Sequence, residues 1–200
     1  RSGIRGLRLA GVLDRVMPLA IPMRGRMVHE HDGSAELQPY GVRPEEVIYS
    51  VSRADLNRVL IEAAAELPGV ELNFGQLCLG LAHERAGFEL RDEATGRIHH
   101  SPPQPGIATD GAGSAVRDAL LAREVASVRE EPLDHDYKEL TIPPVAGRPA
   151  LEVNALHIWP RGGFMLIALP NLDGTFTATL FLARDGANGF TQLETPAAVE

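Results

Sequence analysis

Three groups of residues are of a type and spacing that could do chemistry. Two arginines flank a glycine in Met23-Arg24-Gly25-Arg26-Met27, Arg53 stands in the opening turn of a helical pattern, and an aspartate meets a glycine at Asp110-Gly111. In an extended chain alternate side chains share a face, so Arg24 and Arg26 project together. If that face is internal, a carboxylate, phosphate or anionic ligand must neutralise one of them. If the strand lies at an edge, both are solvated. Arg53 sits where a helix dipole is positive and disfavours a cation. It therefore points into solvent or is bound to something anionic. At Asp110-Gly111 a short extended run ends in a turn and a helix. Backbone groups at such a place can hold a ribose or pyrophosphate, and the same dipeptide is also a common plain turn.

Other chemistries find little support. His29 and His31 share a strand face, but no third ligand is nearby, so no metal site is expected. Cys78 is the single cysteine, which excludes a disulfide framework and fits a reducing, cytoplasmic compartment. There is no G-x-S-x-G, no C-x-x-C and no G-x-G-x-x-G after a strand; Gly3, Gly6 and Gly11 lie in a helical pattern. The net charge of −8 argues against nucleic acid as a partner. Against that balance, Arg1, Arg5, Arg8, Arg15, Arg24 and Arg26 face only Asp14 before His29, either as a solvated helix face or as a site for an anion. No run is long enough for a membrane span. Nothing in the sequence sets the oligomeric state.

The elements that must position these residues can be read in outline. Leu7, Leu9, Val12, Leu13 and Val16 predict a helix running to about Met17, ended by Pro18 and Pro22. Short strands are expected over 23–30 and 47–51, the first followed by the polar turn His31-Asp32-Gly33-Ser34. Ser52 and Asp55 form a capping box before the apolar stripe Leu56, Val59, Leu60, Ala63, Ala64 and Leu67, which Pro68-Gly69 stops. Further strands are predicted over 70–79 and 88–90, a connection over 99–106, a strand end over 107–110 and a helix over 115–123. The last third reads as antiparallel sheet, with strands over 137–142, 155–159, 164–169 and 175–182.

The stretches IPMRGRMVH (21–29), EVIYSVSRADLNR (46–58), DYKELTIPP (136–144) and LHIWPRGGFMLIALPN (156–171) resemble the family of kynurenine 3-monooxygenases. TDGAGSAVR (109–117) is similar to the D-G motif of the wider FAD-dependent aromatic hydroxylases. The likeness runs in order from about 5 to 181. It implies hydroxylation of L-kynurenine to 3-hydroxykynurenine, with NADPH, FAD and O2, in the kynurenine pathway of tryptophan degradation. Arg26 would grip the substrate carboxylate and Tyr40 would hydrogen-bond it, as suits the bidentate fork of an arginine. Leu156, Met165, Ile167, Leu169 and Phe181 would line an aromatic pocket. Arg53, Cys78, Asp110 and Gly111 would contact FAD. No residue of this chain is assigned to catalysis itself, because the cofactor carries the hard chemistry.

The resemblance implies an α+β, p-hydroxybenzoate-hydroxylase-like fold. Residues 1–182 would hold FAD-lobe pieces at about 5–17 and 45–125 and substrate-side strands at about 23–40 and 137–182; 183–200 would be a loose C-terminal segment. The family's opening glycine-rich motif and later G-D-A-A-H segment are not among these residues. The expectation is a central portion of the enzyme, inactive in isolation. Two other readings stand beside it: a hydroxylase of another anthranilate-like aromatic acid, and a non-catalytic module that binds a small carboxylate.

Overall fold

In a computed structural model the chain is described over residues 2–82 and 87–193. It divides into two units, Arg1–Pro68 with Leu133–Glu200, and Gly69–Pro132.

The first unit opens with α1 (Ser2–Leu9), α2 (Leu13–Val16) and a 3-10 turn (Met17–Leu19). The single helix expected to run to Met17 is broken. Gly11 takes a left-handed backbone (φ 71°), which glycine adopts without strain, and the chain restarts at α2. Next come β1 (Ala20–Met23), β2 (Gly25–His29), β3 (Ala35–Pro39), β4 (Ile48–Val51) and α3 (Arg53–Ala65). The predicted cap is present: the Asp55 amide donates to Ser52 Oγ at 3.3 Å, and α3 ends before Pro68-Gly69. Strand β1 pairs antiparallel with β4.

The C-terminal third adds β8 (His135–Ile142), β9 (Ala155–Pro160), β10 (Met165–Pro170) and β11 (Phe176–Ala183). These join β2 and β3 in a six-stranded sheet of order β3-β2-β9-β10-β11-β8. All neighbours are antiparallel except β2 and β9, which run parallel with Arg26 opposite Leu156. Period-two alternation then sorts the side chains. One face carries Ala168, Phe176 and Ala178, all buried, packed with Ile142, Leu151, Val153, Trp159 and Leu166. The other face is only partly covered. Beyond β11 the Arg184 guanidinium pairs with Asp136, and a 3-10 turn spans Phe190–Gln192. Of the segment expected to be loose, residues 194–200 lie outside the described residues.

The second unit is a three-stranded antiparallel sheet of β5 (Gln76–Leu81), β6 (Phe88–Asp92) and β7 (Ile98–His100), with α4 (Ala115–Ala122) on β5. A bulge between Cys78 and Gly80 bends β5. A Cβ on Gly80 would sit 3.3 Å from the Ala119 methyl, so glycine there permits the close approach of α4. Two local expectations change. Residues 70–75 are irregular, and β5 begins only at Gln76; β7 occupies the start of the expected connection. No strand forms over 107–110.

Candidate functional site

The register of the six-stranded sheet places Arg26, Leu156, Met165, Ile167, Leu169 and Phe181 on one face. Arg26 stands opposite Leu156, Ile167 opposite Ile158, and Met165 opposite Phe181. Leu156, Ile167, Leu169 and Phe181 are half-buried and Met165 is 37% exposed. This is the partly covered face, so the period-two grouping read from the sequence coincides with an apolar surface open on one side.

Arg26 is exposed, which answers the question its sequence position left open. It lies in an interior strand, yet its side chain meets no buried carboxylate. Arg24 is not its partner in the strand; it sits in the link between β1 and β2, where its carbonyl accepts from the Tyr40 amide at 3.0 Å. That bond closes the end of the β2–β3 ladder and brings Tyr40 beside Arg26. The Arg26 guanidinium carbon is 5.6 Å from the Tyr40 ring centroid, a cation–π distance. The Tyr40 hydroxyl is buried and makes no well-formed hydrogen bond among the described residues, although the Arg26 guanidinium is near enough to interact weakly with it. Burial pushes its pKa up, and the hydrogen-bonding interaction with Arg26 and that residue's positive charge partly offset this. Gly25 makes the approach possible, because a Cβ there would run into the Gln38 carbonyl of β3.

A cleft of about 600 Å³ opens in the same unit at the C-terminal end of β10. Leu169, Thr177, Thr179 and Glu139 come to it from the sheet, and residues 50–55 from β4 and the start of α3. The Ser50 hydroxyl donates to the Pro170 carbonyl at 3.3 Å and ties the two walls together. Arg53 lines this cleft. Its side chain is 87% exposed, and it pairs with Glu139 at 3.5 Å. The structure thus brings Arg53 and Leu169 into one cavity, while the other predicted pocket residues share Leu169's sheet face outside that lining. Sequence reasoning passed over Glu139 and Asn171 although both lie in the quoted motifs. Thr177 and Thr179 carried a legible signal, the threonine alternation of β11.

In the second unit, Cys78 lies on β5, half-buried, with its thiol 3.8 Å from the Gly80 carbonyl. Asp110 is occupied locally. Its carboxylate accepts from Ser114 Oγ at 2.7 Å and from the Val116 amide at 3.5 Å, and the Ser114 bond holds its pKa below the usual carboxylate range. Gly111 follows with φ 84°, making the turn that lets Asp110 reach back over the start of α4. Among the described residues no group of three metal-binding side chains converges, and no helix is long and apolar enough to cross a membrane.

The resemblance read from the sequence is borne out by comparison with known proteins. The chain is 42% identical over 199 residues to kynurenine 3-monooxygenase of Myxococcus xanthus, a match that takes in 99% of this chain and 43% of that protein. With kynurenine 3-monooxygenase of Stenotrophomonas maltophilia it shares 44% over 199 residues, covering 99% and 44%. The chain therefore spans less than half the length of the curated relatives it matches. No family model matches it. Its α+β fold is that of solved flavin hydroxylases. HpxO of Klebsiella pneumoniae, solved with FAD and uric acid, superposes with a TM-score of 0.64 at 17% identity, over 96% of this chain and 48% of that one. A salicylate hydroxylase substrate complex gives 0.59 at 18%, over 96% and 49%.

Proposed function

We propose that this chain carries the substrate-facing sheet of an FAD-dependent, NADPH-using monooxygenase that converts L-kynurenine to 3-hydroxykynurenine. The observation that carries this reading is the buried Tyr40 hydroxyl, without a well-formed hydrogen bond among the described residues, beside the Arg26 cation at the rim of an apolar sheet face. A buried hydroxyl without a well-formed hydrogen bond is costly, and a carboxylate would satisfy it and the guanidinium together. A ligand with a carboxylate at one end and an aromatic ring at the other matches the pair and the apolar face. The names of the relatives supply the particular acid.

The residues present fit part of the flavin's surroundings. Arg53 lines the cleft, is mostly exposed, and is held among the described residues by one ion pair at 3.5 Å, so its guanidinium can turn toward a polar edge of the cofactor. Cys78 and Gly111 offer main-chain groups in their own unit, and Asp110 shapes that turn. FAD, when bound, takes electrons from NADPH and activates O2, so that one oxygen atom enters the ring and the other leaves as water. This chain's own residues have other tasks. Arg26 donates two hydrogen bonds to the carboxylate in a bidentate grip, Tyr40 donates one more to it, and Leu156, Ile167, Leu169 and Phe181 exclude water around the ring. With its single cysteine, the protein would work in the reducing cytoplasm.

The test is kynurenine-dependent NADPH oxidation by the full-length protein, with 3-hydroxykynurenine identified as product. Oxidation stimulated by a different anthranilate-like acid but not by L-kynurenine would replace the substrate. Carboxylate binding with no NADPH oxidation would return the chain to a binding module.

A further inference from the structure

Behind the Arg26 face, on the core side of the sheet, two histidines meet. His29 of β2 and His157 of β9 are 2.8 Å apart between Nε2 and Nδ1. The other nitrogen of His157, Nε2, lies 2.8 Å from the Glu152 carbonyl oxygen. A carbonyl can only accept, so His157 carries its proton on Nε2, and its bare Nδ1 accepts from His29 Nε2–H. His157 is 1% exposed. The Trp159 ring stacks on His29 at 4.2 Å, and Phe176 meets His157 edge-on.

The pair sits at the shorter of the two junctions of the sheet that no turn controls, the other being β8–β11 with eight register positions. β2 and β9 share four register positions, Gly25 to Val28 against Ala155 to Ile158, and the two histidines are 128 residues apart in the chain. Elsewhere a hairpin sets the register, or a strand has a long partner. Here a slip of one residue would turn Arg26 from the open face to the core face. It would also turn His29 away from His157. We propose that the His29–His157 hydrogen bond locks the β2–β9 register, so that His157 is a positioning residue for Arg26, and that the lock opens when both rings are protonated. The ligand arm of this inference rests on the reading of Arg26 as the carboxylate grip; the register arm does not.

The charged groups around the pair set the direction of the response. Arg161 donates to the His29 carbonyl at 2.9 Å, and Glu152 lies next to His157 with its carboxylate accepting from the Asn154 amide. Burial lowers the pKa of both rings; the neighbouring ring and Arg161 lower His29 further, while Glu152 opposes the shift at His157. The lock is thus closed at neutral pH. A single added proton can be shared, His157 Nδ1–H then donating to a bare His29 Nε2, but with both rings protonated two N–H groups face each other and the bond is lost.

Amide hydrogen exchange over residues 25–29 of the full-length protein, read against β10–β11 and corrected for the intrinsic rate, tests this. Lowering pH from about 8 to about 5 should speed exchange there by about tenfold, the scale of one lost hydrogen bond. His157→Gln keeps a donor for Glu152 and an acceptor for His29 but cannot gain a proton. It should hold the slow exchange at every pH, and L-kynurenine affinity in it should lose the matching pH dependence. His29→Leu should exchange fast throughout. A His157→Gln profile that follows the wild type overturns the proposal, as does slow exchange in His29→Leu. If Arg26→Met leaves L-kynurenine affinity unchanged, the carboxylate reading falls while the exchange result still decides the lock.

Discussion

The guanidinium carbon of Arg26 lies 5.6 Å from the centroid of the Tyr40 ring, whose hydroxyl is buried without a well-formed hydrogen bond among the described residues. A site built this way trades stability for binding. Removing the hydroxyl removes an unsatisfied buried group, so Tyr40→Phe should leave the fold unchanged or stabilise it by about 1 kcal/mol. The same change should weaken L-kynurenine binding by about tenfold to a hundredfold, one hydrogen bond to a charged group being lost. Denaturant midpoints and calorimetric titration of the full-length protein measure the two effects. A Tyr40→Phe protein that loses stability and keeps its affinity would mean that the hydroxyl serves the fold.

Arg26 tests the same handle from its charged side. Lysine keeps the charge but not the planar fork. Arg26→Lys should cost about 1.5–3 kcal/mol of carboxylate binding, the range for hydrogen bonds to charged groups. Because Arg26 is exposed and, among the described residues, pairs with no carboxylate in the way Arg53 or Arg184 does, the fold should tolerate the change. Unaltered affinity in Arg26→Met would remove it from the site.

Gly25 is the device that lets the two residues meet. A methyl group there would collide with the Gln38 carbonyl and approach the Pro39 Cα at 3.0 Å, both backbone of β3. Backbone cannot rotate aside as a side chain can, so β3 must move. Gly25→Ala should destabilise the protein by about 1–3 kcal/mol, as overpacking does. It should also shift Tyr40, whose amide is bonded to the Arg24 carbonyl at the same end of the ladder. A Gly25→Ala protein with wild-type melting and wild-type tyrosine fluorescence would contradict this close packing.

What the sequence made legible is local. The Ser52 cap, the stripe of α3 and the threonine alternation of β11 each follow from residues within one or two turns of one another. The face shared by Met165, Ile167 and Leu169 follows from period two alone. Partner choice does not. Nothing near Arg26 says that β2 enters the sheet parallel to β9, a pairing between residues more than a hundred positions apart, and so nothing decided whether the arginine was buried or wet. His29 shows the same limit. Spacing pairs it with His31, whereas the fold pairs it with His157. The break at Gly11 was hidden because the apolar period continues across it, while the backbone turns left-handed.

The two joined histidines also contribute to the acid response of the fold just below neutral pH. Both have folded-state pKa values below the ordinary value of about 6.5, because burial disfavours the charged ring. The unfolded chain therefore binds protons more readily than the folded one in this range. Stability from this source is fully present above about 6.5 and declines as pH falls below it. The urea midpoint should be lower at about pH 5 than at about pH 7.5, and His157→Gln should reduce the difference. An equal pH dependence in that variant would assign the acid response to other groups.

Arg53 separates a cofactor contact from a surface ion pair. It opens α3 where the dipole disfavours a cation, and its ion-pair partner among the described residues is Glu139 at 3.5 Å, which lines the same cleft. An exposed pair of this kind adds little to stability, and alanine is the better helix former. Arg53→Ala should therefore melt at or above the wild-type temperature. If the guanidinium turns to FAD when the cofactor is bound, the variant should also release flavin about tenfold more readily, a loss matching one charged hydrogen bond. Glu139→Gln distinguishes the alternatives. Freed of its acid partner, Arg53 should hold FAD at least as tightly as before, whereas a merely structural pair would make Arg53→Ala and Glu139→Gln behave alike. Flavin dissociation measured by fluorescence in the three full-length proteins gives the answer. Identical FAD affinity in all of them would return Arg53 to the solvent.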